Sequence, residues 1–225
     1  MTRAKLMNGN AYFRTMSIIL ISIALVGFFL NGFLNQDKMP SPYFLLIFHA
    51  IVMVSWYVLF IVQTRLIKKR HISTHKKLGL WSLLLTISIL ISGIWITYVA
   101  YEKVADTLTT ALNFAALFNF SVTYFMGYFY RTRIEWHKRA MLLAGIAIVA
   151  PAIARLVIAL QLPEPMVILG YLLLILSLII HDIVRDKINL RFSIAWGLVI
   201  FLGVVAAASI GTTDSWSAFL TKIWG

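Results

Sequence analysis

Five histidines, one carboxylate beside a histidine and one arginine inside an apolar run are the side chains of this chain best suited to chemistry: His49, His71, His75, His137, His181, Asp182 and Arg155. Imidazole is the commonest metal ligand and also ligates haem iron. The chain contains no cysteine, so disulfides and thiolate metal sites are excluded. Any metal or haem ligation must use His, Met, carboxylate or Tyr.

Two of the histidines stand in a repeated phrase. His75-Lys76-Lys77 lies in RLIKKRHISTHKKL (Arg65–Leu78), and His137-Lys138-Arg139 lies in RTRIEWHKRAM (Arg131–Met141). Each phrase separates two apolar runs, so His75 and His137 are expected at one membrane depth, where they can meet. His181 and Asp182 close a further apolar run on the same side. His75, His137, His181 and Asp182 are therefore candidate metal ligands, with Asp182 either binding directly or orienting a histidine. His71 precedes His75 by the four residues that place two side chains on one helical face. Against a site stands the commoner fate of histidines among interfacial cations, which is to face solvent and lipid phosphate.

The second group is His49, Asn113 and Arg155, expected towards the opposite membrane face. An arginine within a span costs about 2.5–3.5 kcal/mol at the helix centre and less near an end, so it usually faces a bundle interior or an aqueous cavity. Pro151, four residues earlier, removes a backbone donor and frees a carbonyl near that level. A pocket in which Arg155 holds a small anionic or lipid-like ligand beside His49 and Asn113 is one expectation. Snorkelling of Arg155 to headgroups is the other.

These groups need elements to carry them, and composition names the class. With 61% hydrophobic and 12% charged residues among 225, the chain is far from a soluble globular composition. Apolar runs predict transmembrane helices over about 16–34, 44–63, 78–99, 110–130, 140–160, 166–180 and 193–210. Pro40 and Pro42 predict a turn over Asn35–Tyr43, and the segment after residue 210 reads as a polar tail. The expectation is an all-α, seven-helix polytopic membrane domain occupying residues 1–225. No Gly-rich phosphate loop or HExxH zinc motif occurs.

Charge sets the threading. Sixteen of the twenty Lys and Arg residues fall in the N-terminal lead and the connections at 65–77, 131–139 and 185–191. Lys38, Lys103 and Lys222 lie in the alternate segments. Positive residues collect in cytoplasmic loops, so the N-terminus is expected inside and the C-terminus outside. The net charge of +12 then reflects membrane orientation and calls for no nucleic acid. The lipid bilayer is the expected partner. Spans two and three, and spans four and five, form two similar helix hairpins about these basic connections, a partial internal repeat.

Three resemblances bear on function. The His-Lys/Arg-Lys/Arg helix starts, with Pro151–Arg155, make the chain similar to bacterial seven-span inner-membrane proteins of uncharacterised activity, which implies that location. The placing of His49, His75 and His137 resembles the two-haem cytochrome b family of transmembrane reductases. That likeness implies haem b, with His75 and His137 as one axial pair. It matches His49 to a ligand of the second haem, whose partner position offers only Ala111, Leu112 or Asn113. The set His75, His137, His181 and Asp182 resembles, in number, the ligands of seven-span zinc hydrolases, which implies a divalent metal such as zinc. Their paired histidine on the last span is absent here.

Overall fold

The computed structural model describes residues 3–35 and 43–224. The turn expected around Pro40 and Pro42 lies outside them. Nine α-helices account for almost all of the described chain: α1 (Arg3–Leu34), α2 (Tyr43–Lys68), α3 (Ile72–Val104), α4 (Thr107–Phe129), α5 (Ile134–Ala147), α6 (Ala150–Ala159), α7 (Pro165–Arg185), α8 (Leu190–Gly211) and α9 (Asp214–Trp224). There is no strand among the described residues.

Six helical segments are long and apolar enough to cross a membrane: Ala11–Leu34, Phe44–Lys68, Ile72–Val104, Ile134–Ala159, Pro165–Arg185 and Lys187–Gly211. Together they make this a multi-pass membrane protein. Helix α4, expected as a further span, is 23 residues long but does not join the six by composition. Its buried face explains why: Thr110, Asn119, Thr123 and Tyr124 point into the bundle alongside Ala111, Ala116 and Phe120. Its outer side remains apolar, with Phe118 and Phe129 exposed. Large apolar side chains also cover the outside of α1, α2 and α3, as expected of helices facing lipid.

The helices extend beyond the expected spans, chiefly into the basic connections. The lead before residue 16 is helical from Arg3, and α3 begins six residues before the expected Leu78. Only Lys69–His71 breaks the chain between α2 and α3, where Arg70 adopts φ 61°. The expected polar tail is the helix α9. Its Trp216, Phe219, Leu220, Ile223 and Trp224 line an apolar cavity with Phe114 of α4.

The expected fifth span is a pair, α5 and α6, broken at Ile148–Val149 ahead of Pro151. Proline lacks the N–H that would continue the ladder, which places it naturally in the first turn of α6. This pair is the axis of the bundle: 61% of its most apolar window is buried, against 22–28% for the other five candidate spans. Helix α1 lies along α6, and α4 along α5 and α8. Buried hydrogen bonds tie the axis to its neighbours. Tyr57 Oη of α2 donates to the Gly145 carbonyl at 3.1 Å, and Tyr124 of α4 meets Ser82 of α3 at 2.7 Å.

Close approach of α1 to α6 rests on Gly27, because a Cβ there would collide with the backbone oxygen of Ala152. A Cβ at Gly79 would have its first neighbour, Gln63 Nε2, 3.7 Å away. Gly27→Val is expected to destabilise the fold by about 1–3 kcal/mol through overpacking, and Gly79→Ala to leave it within about 0.5 kcal/mol. Thermal unfolding of the detergent-solubilised variants checks the contrast.

Candidate functional site

His75 and His137 occupy the same place in two helices. Each is the fourth residue of its element, α3 from Ile72 and α5 from Ile134. Their rings meet at the basic end of the bundle, with centroids 6.2 Å apart and planes at 90°. The two imidazoles are therefore brought together. The Nδ1 of His137 lies 2.8 Å from the Gly127 carbonyl oxygen, which can only accept, so Nδ1 carries the proton. Neutral His137 then presents an unprotonated Nε2, the arrangement usual in metal-bound histidine. In His75, Nδ1 is buried with no protein partner, and the backbone carbonyl of the same residue accepts from Gln63 Nε2 at 3.2 Å.

The remaining sequence candidates separate. His71 caps α3 without entering it and is exposed, so the helical spacing to His75 does not put the two rings on one face. His181 sits on α7, stacked on Tyr12 of α1 with centroids 4.2 Å apart. Its Nδ1 faces Asp182 Oδ1 at 3.1 Å, and its Nε2 is buried without a partner. Among the described residues no group of three or more His, Asp and Glu side chains gathers closely enough to hold a metal ion. The four-residue set His75, His137, His181 and Asp182 thus falls into two clusters.

The second cluster centres on a residue that sequence reasoning treated as one more interfacial cation. Arg139 is completely buried and uses all five of its N–H donors. Nε donates to Asp182 Oδ2 at 2.8 Å, and one terminal nitrogen donates to Asp182 Oδ1 at 2.6 Å and to Asp186 Oδ2 at 3.0 Å. The other donates to the Glu135 carbonyl at 2.8 Å and the Glu135 carboxylate at 2.7 Å. Asp182, also fully buried, accepts from Ser193 of α8 as well. Asn189 donates to Asp186 at 3.0 Å, closing the network through the 3-10 turn Lys187–Asn189. Asp182 is therefore the acceptor that makes a buried guanidinium tolerable. Its oxygens are already engaged by Arg139, Ser193 and His181.

At the other end of the bundle, His49 Nδ1 lies 2.9 Å from Ser92 Oγ of α3. Arg155 projects from α6, where one terminal nitrogen donates to the Pro151 carbonyl at 3.0 Å and the guanidinium lies 4.8 Å above the Phe28 ring. Asn113 is half-buried on α4. The buried amide on that helix is Asn119, whose Nδ2 donates to the Ile200 carbonyl at 3.0 Å. Its place against Gly203 makes it a helix-packing residue.

No protein-family description matches this chain, and no curated protein or solved structure does either.

The buried cluster generates a stability prediction. Arg139→Met strands carboxylates that are wholly or largely out of water and is expected to cost about 3–5 kcal/mol. Glu135→Gln touches the most exposed partner, with 32% side-chain exposure, and is expected to cost under about 1 kcal/mol. Unfolding midpoints of both variants in the same detergent test this ordering.

Proposed function

We propose that this membrane protein crosses the bilayer seven times, with α4 as the additional span, and holds haem b between His75 and His137 for electron transfer. The N-terminus lies in the cytoplasm and the C-terminus outside, following the distribution of Lys and Arg. In a bacterium this makes it a protein of the inner membrane.

The observation that carries the reading is the facing pair of imidazoles, with the His137 tautomer fixed by the Gly127 carbonyl. The ring centroids stand 6.2 Å apart, close enough for both imidazoles to reach one bound group. The donor count favours haem over a bare ion. Structural zinc takes four protein ligands and catalytic zinc three, whereas a six-coordinate haem iron takes two axial ligands from the protein. When bound, haem supplies one-electron chemistry.

The chain's own residues do the rest. His75 and His137 would provide the axial nitrogens, and the Gly127 carbonyl orients the His137 ring. Arg139 adjoins His137 in sequence, but its donors are saturated by protein acceptors, and Lys138 is paired with Glu135. Exposed Lys76 and Lys77 are therefore the cations left beside His75 for anionic substituents. The resemblance to two-haem cytochrome b reductases supports the same pair. The arrangement favours one haem over two, since the position opposite His49 offers no imidazole on α4.

Protein purified from cells supplied with haem precursor is expected to show a Soret band and one haem per chain by pyridine haemochrome assay. His75→Ala and His137→Ala should each abolish the band, while His181→Ala should retain it. Colourless protein carrying stoichiometric zinc would overturn the haem reading in favour of a metal hydrolase.

A further inference from the structure

At the end of the bundle away from the basic connections, Arg155, like Arg139, donates to the backbone carbonyl four residues earlier, but it is otherwise held differently. Arg139 uses all five donors on protein acceptors, whereas among the described residues Arg155 makes one hydrogen bond, to the Pro151 carbonyl one turn earlier. Among the described residues no carboxylate pairs with it. Its face is supported by the Phe28 ring at 4.8 Å, a cation–π contact that fixes the plane of the guanidinium and leaves its edge free to donate. Arg155 is half-buried, and none of its nitrogens is both fully buried and without a partner.

The surroundings are rigid. Gly27 brings α1 against the Ala152 carbonyl, one residue after Pro151 and one turn before Phe28's partner Arg155. Phe28 and the helix carrying Arg155 are thus locked together by backbone contact. On α2, the His49 ring is tethered through Nδ1 to Ser92 Oγ of α3 at 2.9 Å. The tether leaves His49 Nε2 outside that hydrogen bond. A planar, permanently charged fork with an oriented edge, in a half-buried position near the end of a span, is suited to an oxyanion that offers two oxygens.

We propose that Arg155 is the anchor of an oxyanion site at this end of the bundle, taking a phosphate or carboxylate group against the Phe28-supported guanidinium. The ligand presents either a lipid phosphodiester or a small soluble oxyanion. This site stands apart from the His75–His137 pair and does not depend on haem.

The test uses full-length protein, delipidated in dodecyl maltoside, titrated separately with phosphatidylglycerol and with inorganic phosphate while the unfolding midpoint is followed. One titrant is expected to raise the midpoint of the wild type saturably, and which one does so identifies the source. Arg155→Gln should remove the response. Arg155→Lys keeps the charge without the planar fork and should weaken the apparent affinity by about tenfold. It also serves where the Gln variant fails to fold. Neither titrant stabilising the wild type, or both variants responding like the wild type, would overturn the proposal.

Discussion

The basic end of this bundle depends on one buried ionic interaction, the clasp of Arg139 by Asp182, Asp186 and Glu135. An unpaired charge in such surroundings costs several kcal/mol even after relaxation. The chain meets that cost by complete geometric satisfaction. Five donors find five acceptors, and three of the chain's eight acidic residues are assigned to one guanidinium. The acceptors come from α5, from α7 and from the residue following α7, and Ser193 brings in α8. A bidentate pair tolerates little rotation, so α5 is fixed in azimuth as well as in depth.

That fixed azimuth is what places His137. Residues two apart on a helix project about 200° apart, so with Arg139 turned towards α7 and α8, His137 turns towards α4 and α3. There it meets the Gly127 carbonyl and the His75 ring. The ionic cluster and the imidazole pair are opposite faces of one helical turn. A buried ion pair can in this way set the orientation of two imidazoles that share none of its atoms.

Much of the architecture was legible from composition and periodicity alone. The apolar runs announced the helices, and the repeated His-Lys/Arg-Lys/Arg phrase announced that His75 and His137 share a level. What escaped were features whose cause lies in tertiary pairing. Arg139 looked like one cation in a solvated run, because the acceptors of its buried pairs stand 43 and 47 residues further on. Asp182 looked like a metal ligand for the same reason: beside a histidine, a carboxylate suggests coordination until its actual partner is seen. The C-terminal helix was readable in principle, since Trp216, Phe219, Leu220 and Ile223 follow helical spacing. Its polar residues hid that pattern from a reading based on long apolar runs.

Helix α4 illustrates how a helix packed on several sides can fall short in hydropathy. A lipid-facing helix must be apolar outside, whereas a helix with neighbours on several sides can hold polar groups if each finds a partner. Asn119 bonds to α8, Thr123 to its own helix, and Tyr124 to α3. These bonds compensate the lower apolarity and make α4 the element that α3, α5 and α8 share. Gly127 stands in its last turn, packed against Ala140 and Met141 of α5, and its carbonyl orients His137. The long helix that falls short of the six candidate spans in hydropathy is therefore the one through which the imidazole pair is supported.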